Sequence, residues 1–413
     1  MNIQTVDRTI DRILHDTAYV RTGGSEQEAA CARYLMTECT LRRLSAQLEP
    51  FDVQMATIHR AELTVDGQSI PCKGYLCAGS AEIEAPLLYM PEPTPCALAQ
   101  CRGKIVMLDG YLGYWKYQDI LAAGAVGFIT FDGNANYADE DIDQRELRAH
   151  VSKGVTLPGV NINAKSAIAI VRSGAKTARI VLEQDAYTGQ SYNVVCELPG
   201  KTDEWIALTA HYDSTSLSTG AYDNMSGCIG LLEMMDAFAG VPRRRGLRFI
   251  FCGSEERGLL GSKAYCAAHA DALASTVLNV NLDMIGSIMG PFKAVCTAED
   301  RLVHYIEYLS SIKGFPLKAR QDVYSSDSTP FADHGVPAVS FARIAPNNTA
   351  TIHNRYDTLN VLSTDQLEQD IDFIADFVCE MVTAVHCPVR REMPEKMKDK
   401  LDIYLTRKRD KDA

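Results

Sequence analysis

A chain of 413 residues is longer than one hydrophobic core usually supports, so the length predicts two domains. Hydrophobic residues make up 46% and charged residues 23%, which is ordinary for a soluble globular protein, and the net charge of −12 argues against nucleic acid and anionic membranes as partners. The sequence starts without a basic segment followed by an apolar one, and it has no apolar run of about 18 residues, so we expect a cytoplasmic protein without a transmembrane helix. The thirteen cysteines lie mostly in apolar runs without a closely spaced pair, and we expect buried free thiols.

The first half of the chain predicts helices followed by strands. Residues Val6 to Cys39 show a helical pattern that is interrupted near Gly23-Gly24, and residues 51–88 show a strand-like pattern. Residues 103–131 read as an apolar strand, a short helix and a second apolar strand, which predicts a local pair of parallel strands. Residues 133–150 are polar and acidic, and they predict a loop.

The second half predicts a different sheet. The apolar segments WIALTAH, LRFIFCGS, TVLNVNLDM and AVSFAR alternate with helical stretches, and a long last helix runs from Asp365 to about Val385. Strands that are apolar on both faces predict an α/β fold with a mixed, mostly parallel sheet sandwiched by helices. We therefore predict one discontinuous domain over residues 1–57 and 186–390, a smaller inserted domain of α+β or β-rich type at 58–185, and a charged tail at 391–413.

Histidines and acidic residues follow the ends of the strands in this second half. Ligands of open α/β sheets bind beyond the carboxyl ends of the strands, so we expect these side chains to meet at one edge. Imidazole and carboxylate groups are zinc ligands, and one shared carboxylate can hold two ions about 3.5–4 Å apart. A further carboxylate off the metal can act as general base. The residues concerned are His211 with Asp213, Asp223, the neighbours Glu255 and Glu256, Asp283, and His353.

The motifs around these residues resemble one known family. The segments HYDS, Asp223-Asn224, GSEERGLLGSKAY and NLDMIG, with the late His353, are similar to the co-catalytic dizinc aminopeptidases, of the bacterial leucine aminopeptidase kind. Glutamate carboxypeptidase and glutaminyl cyclase are relatives. The resemblance covers residues 186–386, and YVRTGGSEQEAACARY is similar to the family's N-terminal helix. It implies the zinc exopeptidase fold and two Zn²⁺ ions.

The resemblance also implies a role for each site residue. His211 and Asp283 would hold one zinc ion, and Glu256 and His353 the other. Asp223 would bridge the two ions, Glu255 would be the general base, and Asp213 would orient His211. The chain departs from the family at Ser328, where relatives often have a histidine before a Pro-Phe pair, which removes the usual support on the substrate side.

The insert resembles a protease-associated domain. Its segments GKIVMLDG, WKYQDILAAGAVGFITF and LPGVNINAKSA carry the likeness, and we expect no metal ligand and no general base within them. Such an insert would influence which peptides reach the zinc ions.

The sequence leaves three functions open. The first is an aminopeptidase that hydrolyses N-terminal residues from peptide substrates. The second is a carboxypeptidase-type or glutaminyl cyclase-like relative, and Arg257, Arg343 and Arg355 lie near enough to the motifs to bind a substrate carboxylate. The third is a non-catalytic, peptidase-like interaction protein, although such relatives lose metal ligands and none is lost in this chain. Homo-oligomer formation stays open.

Overall fold

The computed structural model describes residues 3–347 and 349–410. Contacts between Cα atoms divide the chain into two compact units, Met1–Phe51 with Gln190–Ala413, and Asp52–Gly189. The insert predicted at 58–185 falls inside the second of these ranges. Among the described helices, none is both long and apolar enough to cross a membrane.

The helices and strands alternate along most of the chain. The helices are α1 (Ile3–Asp16), α2 (Glu26–Leu41), α3 (Pro95–Leu98), α4 (Tyr114–Ala122), α5 (Ala149–Ser152), α6 (Ala164–Ser173), α7 (Ser226–Phe238), α8 (Leu260–Ala268), α9 (Ala270–Ser275), α10 (Asp300–Lys313), α11 (Ser328–Asp333), α12 (Thr364–Thr383) and α13 (Glu395–Tyr404). The strands are β1 (Ala46–Val65), β2 (Gln68–Ile70), β3 (Lys73–Gly74), β4 (Ala81–Met90), β5 (Ile105–Asp109), β6 (Gly127–Asp132), β7 (Gly159–Asn163), β8 (Thr177–Leu198), β9 (Trp205–His211), β10 (Gly246–Cys252), β11 (Thr276–Leu282), β12 (Phe292–Thr297), β13 (Leu317–Gln321) and β14 (Ala338–Arg343).

The first unit is built on a mixed sheet with the strand order β13-β12-β14-β11-β9-β10-β8. Strands β14, β11, β9 and β10 run parallel to one another, whereas β12 is antiparallel to β14 and the end of β8 is antiparallel to β10. This arrangement confirms the predicted fold class, a mostly parallel sheet in an α/β fold.

Both faces of this sheet are covered, which explains why its strands are apolar throughout. Leu208 and Phe249 point into a large core that also contains buried side chains of α2, α7 and α12. Their neighbours Ala207 and Ile250 point into a second core on the opposite face, together with Tyr265 of α8. A strand buried on both sides needs no polar alternation, and its end can carry polar side chains at the edge of the sheet.

The second unit has its own core around a smaller sheet. Strands β4, β5, β6 and β7 pair in parallel, and β3 pairs antiparallel with β7. The strand–helix–strand pattern predicted at residues 103–131 corresponds to β5, α4 and β6, and β5 and β6 are parallel as expected.

At both ends of the chain the structure defines the helices more closely than the sequence did. The helical pattern of residues 6–39 becomes α1 and α2, separated at residues 17–25, where the chain turns toward the sheet edge. Ser25 caps α2 by accepting a hydrogen bond from Glu28 N, at 3.1 Å. The predicted charged tail contains α13, and its last three residues lie outside the described part of the chain.

Candidate metal centre

The parallel strands bring the polar side chains predicted from the sequence to one edge of the first unit. His211 is the last residue of β9, and Asp283 follows β11 directly. Glu255 and Glu256 lie in the turn after β10. Because β11, β9 and β10 are neighbours in the sheet and run in the same direction, their carboxyl ends converge.

Two groups of possible metal ligands form at this edge, and they share Asp223. His211, Asp223 and Asp283 make the first group, and Asp223, Glu256 and His353 make the second, with the ligand atoms of each group within 4.8 Å of one another. The two oxygens of Asp223 face different imidazoles. Its Oδ1 is 3.1 Å from His211 Nε2, and its Oδ2 is 3.2 Å from His353 Nε2. This is the arrangement that a bridging carboxylate requires.

The remaining distances complete each group. His353 Nε2 lies 3.1 Å from Glu256 Oε2, and His211 Nε2 lies 3.7 Å from Asp283 Oδ1. His211, Asp223 and Asp283 are buried, whereas the side chain of His353 is 47% exposed, so the second group is the one open to solvent. The structure thus brings together all five side chains that the sequence proposed as metal ligands.

These residues fit zinc on chemical grounds. Asp283 Oδ1 is buried, and it accepts no hydrogen bond from any residue that the structure describes. A buried carboxylate oxygen without a donor is costly unless a cation compensates for it. Zinc binds imidazole nitrogen and carboxylate oxygen at about 2.0–2.2 Å, and the two groups offer these donor types in sets of three.

Glu255 belongs to neither group, and its backbone is fixed by Asp213. The Asp213 carboxylate accepts hydrogen bonds from Glu255 N at 2.9 Å and from Glu256 N at 3.1 Å. The same carboxylate lies 3.4 Å from His211 Nδ1. Burial raises the pKa of Glu255 well above its ordinary value, and the neighbouring Glu256 carboxylate adds to this effect.

Two residues to which the sequence analysis assigned no role hold the Asp223 turn. Asp357 is fully buried and accepts hydrogen bonds from Tyr222 N at 2.8 Å and from Asp223 N at 3.2 Å. Asn224 donates to Leu282 O at 2.8 Å and accepts from Met284 N at 3.1 Å, on either side of Asp283. The turn that carries Asp223 is therefore fastened to the loop of His353 and to the end of β11.

A third such residue is Arg21, which lies between α1 and α2. Its guanidinium is fully buried and donates to the backbone carbonyls of Tyr212, Thr219 and Gly220. Tyr212 lies between His211 and Asp213, and Gly220 precedes the Asp223 turn. The likeness of YVRTGGS to the family's N-terminal helix was the only sequence signal for this contact.

The departure at Ser328 has a structural counterpart. Ser328 is buried, and its hydroxyl is 2.8 Å from the hydroxyl of Ser340 in β14. Asn281 in turn donates to Ser326 Oγ at 2.8 Å. The serine that stands where relatives often have a histidine is thus part of a buried polar network beneath the sheet edge.

Comparisons with known proteins agree with this geometry. Residues 193–378 match the model of Peptidase family M28. Aminopeptidase YwaD of Bacillus subtilis is 28% identical over 319 residues, which cover 73% of this chain and 68% of that protein. The probable leucine aminopeptidase 2 of Aspergillus fumigatus is 27% identical over 236 residues, which cover 54% of this chain and 46% of that protein.

A solved structure shows the same fold. BSAP, a zinc aminopeptidase from Bacillus subtilis, matches with a TM-score of 0.76 and 24% identity over 94% of this chain and 98% of that structure. The matched region contains all five candidate metal ligands and Glu255. The resemblance stated from the sequence is thereby confirmed over residues 193–378, which match Peptidase family M28, and the chain is a metal-dependent exopeptidase.

Proposed function

We propose that this protein is a dizinc aminopeptidase that removes N-terminal residues from peptides. The observation that carries the proposal is the position of Asp223, whose two oxygens face His211 and His353 in two separate ligand groups. His211 and Asp283 would complete one zinc site, and Glu256 and His353 the other. The names of the relatives, which are aminopeptidases of bacteria and fungi, support the same reaction.

The chemistry divides between the metals and the protein. Zinc held by these residues would supply Lewis-acid chemistry, which polarises a carbonyl group and lowers the pKa of water. Glu255 accepts a proton from the attacking water and returns it to the nitrogen of the leaving amine. Asp213 holds the backbone of both Glu255 and Glu256 in the turn after β10.

The carboxypeptidase alternative requires a cationic side chain that can bind the substrate carboxylate. The guanidinium of Arg343 is already engaged by other groups of the protein. Its guanidinium donates to both oxygens of Asp370, at distances between 2.5 and 3.1 Å, and to Gly290 O at 2.8 Å. Arg257 donates to Gly23 O at 3.2 Å. An acidic sheet edge instead suits the positive amino group of a peptide.

The other two alternatives fit the ligand set less well. A glutaminyl cyclase-like enzyme would need one zinc ion, whereas the side chains at the sheet edge form two ligand groups. A non-catalytic relative would lose ligands, whereas both groups are complete. The likeness of the insert to a protease-associated domain and its influence on substrate choice stay predictions.

The test compares substrates with and without a free amino group. We expect hydrolysis of aminoacyl substrates, no hydrolysis of the same substrates after N-acetylation, and loss of activity when a chelator removes the metal. Metal analysis should find up to two zinc ions per chain. Preferential cleavage of N-blocked peptides with a free C-terminus would contradict the proposal and favour a carboxypeptidase.

Two conservative variants separate the roles of the adjacent glutamates. Glu255→Gln should retain zinc while kcat falls by about 10²–10⁴-fold, because only the base is lost. Glu256→Gln should lower the zinc affinity itself. The exposed Glu380→Gln is the matched control and should change neither quantity. Zinc loss in the first variant, with full activity in the second, would reverse the assignment.

A further inference from the structure

Glu28 is a buried carboxylate that the reaction described above does not use. It lies in the first turn of α2, and none of its surface is accessible. One oxygen, Oε1, accepts hydrogen bonds from Ser254 N at 2.7 Å, Ser254 Oγ at 3.0 Å and Ser191 Oγ at 2.9 Å. The other oxygen, Oε2, accepts from Gly24 N at 2.6 Å.

Ser254 directly precedes the proposed general base. Its φ of 52° places it in the left-handed region, where the backbone of a residue other than glycine is strained. The next two backbone amides, of Glu255 and Glu256, donate to Asp213. Three consecutive N–H groups of this turn therefore donate to buried carboxylates, the first to Glu28 and the other two to Asp213.

The segment before α2 also packs closely on the turn. A Cβ atom added at Gly23 would lie 2.5 Å from Ser254 Oγ and 2.7 Å from Arg257 Cδ, so only glycine fits. Leu260 N donates to Ser254 O at 3.2 Å, which holds the turn from the side of α8. The turn is thus enclosed by Gly23, Glu28 and Asp213, and its conformation depends on them.

Burying this carboxylate is unfavourable for the fold. Burial, together with the negative charge of Asp213, raises the pKa of Glu28 to about 8. A buried carboxyl group is costly unless hydrogen bonds compensate for it. Two of the four hydrogen bonds that Glu28 accepts come from Ser254, so the polar group at this position serves mainly the contact with that turn.

We propose that Glu28 is a positioning residue that sets the conformation of the turn at Ser254 and thereby the direction of Glu255. The inference rests on the proposed function, because it takes Glu255 to be the general base. The hydrogen bonds of the Glu28 carboxylate run to Gly24, Ser191 and Ser254, so it acts through the turn and not on the candidate ligands directly.

The test replaces Glu28 in the full-length, zinc-loaded protein. In Glu28→Ala, kcat for an aminoacyl substrate should fall by about 10- to 100-fold with little change in KM, because the base is displaced while the substrate still binds. Zinc content should stay at the wild-type value. Glu28→Gln should restore most of kcat, since its amide oxygen can take the place of Oε1, which receives three of the four hydrogen bonds. The exposed Glu26→Ala, in the same turn of α2, is the control.

A second readout is independent of activity. Hydrogen exchange of a peptide covering residues 252–258 should be faster in Glu28→Ala than in the wild type, and unchanged in Glu26→Ala. If Glu28→Ala does not fold, Ser254→Ala takes its place, because it removes one hydrogen bond of the same carboxylate. It should show a smaller fall of kcat and faster exchange in the same peptide.

The outcomes separate this inference from the proposed function. The positioning role would be overturned if Glu28→Ala kept the kcat and the hydrogen exchange of the wild type while Glu255→Gln was inactive. The same applies to Ser254→Ala where that variant is used. An active Glu255→Gln would overturn the proposed base instead, and the faster exchange of residues 252–258 would still be attributable to Glu28. Equal losses of kcat in Glu28→Gln and Glu28→Ala would also contradict the inference, because the hydrogen-bond acceptor would then be irrelevant.

Discussion

Arg343 offers the sharpest test of the choice between the two exopeptidase classes. Arg343→Met removes the ion-pair partner of Asp370. Asp370 is fully buried, and its other hydrogen bonds from the described part of the chain come only from Gly286 N at 2.9 Å and Gln366 Nε2 at 3.3 Å. Breaking a buried ion pair from one side costs about 3–5 kcal/mol. At about 2–4 °C per kcal/mol for a large domain, the melting temperature should fall by roughly 6–20 °C.

The double variant Arg343→Met with Asp370→Leu is the matched control. Removing both charges leaves no buried carboxylate without its partner, so the double variant should recover much of the lost stability. The assay is thermal unfolding, followed by KM for aminoacyl substrates below the lowest melting temperature. The structural role of Arg343 would be refuted if Arg343→Met kept its melting temperature and raised KM only for substrates with a free C-terminal carboxylate. That result would favour the carboxypeptidase hypothesis.

Three further predictions concern the support of the metal centre. Asp357→Ala should lower zinc affinity by about 10–100-fold in competition with a chelator, because the Asp223 turn loses its acceptor, whereas the exposed Asp203→Ala should not change it. Gly23→Ala should lower both the melting temperature and kcat, because its Cβ would clash with Ser254; wild-type values for both would contradict the close packing. Removing zinc with a chelator should lower the melting temperature, and the difference should grow with free zinc concentration; a melting temperature independent of zinc would mean that the site does not bind it.

The sheet and the grouping of the candidate ligands at its edge could be predicted because both follow from local patterns. Short strands that are apolar on every residue, such as β9 and β10, indicate a sheet covered on both faces. The direction of parallel strands then places His211, Glu256 and Asp283 at one edge, whatever the precise length of each helix. For the sheet itself, the order of the strands and the positions of the turns could be learned only from the structure.

The supporting residues could not be predicted because their partners are remote in sequence. Asp357 is 134 residues from Asp223, and Glu28 is 226 residues from Ser254. Within its own segment Glu28 has the spacing of a capping box with Ser25, which is a complete local explanation for an acidic residue at that position. Arg21 shows the same limitation, because a lone arginine in a break between helices resembles a surface residue.

These remote contacts also explain how a site with many carboxylates can exist before metal binds. The candidate ligands come from different segments, and two of these segments are held by buried side chains from elsewhere in the chain: the Asp223 turn by Asp357, and the Glu255 turn by Glu28 and Asp213. The repulsion among the carboxylates is thus opposed by hydrogen bonds from backbone N–H groups. A centre of this kind requires little rearrangement to accept its metals, and its precision depends on residues that touch neither the zinc ions nor the substrate.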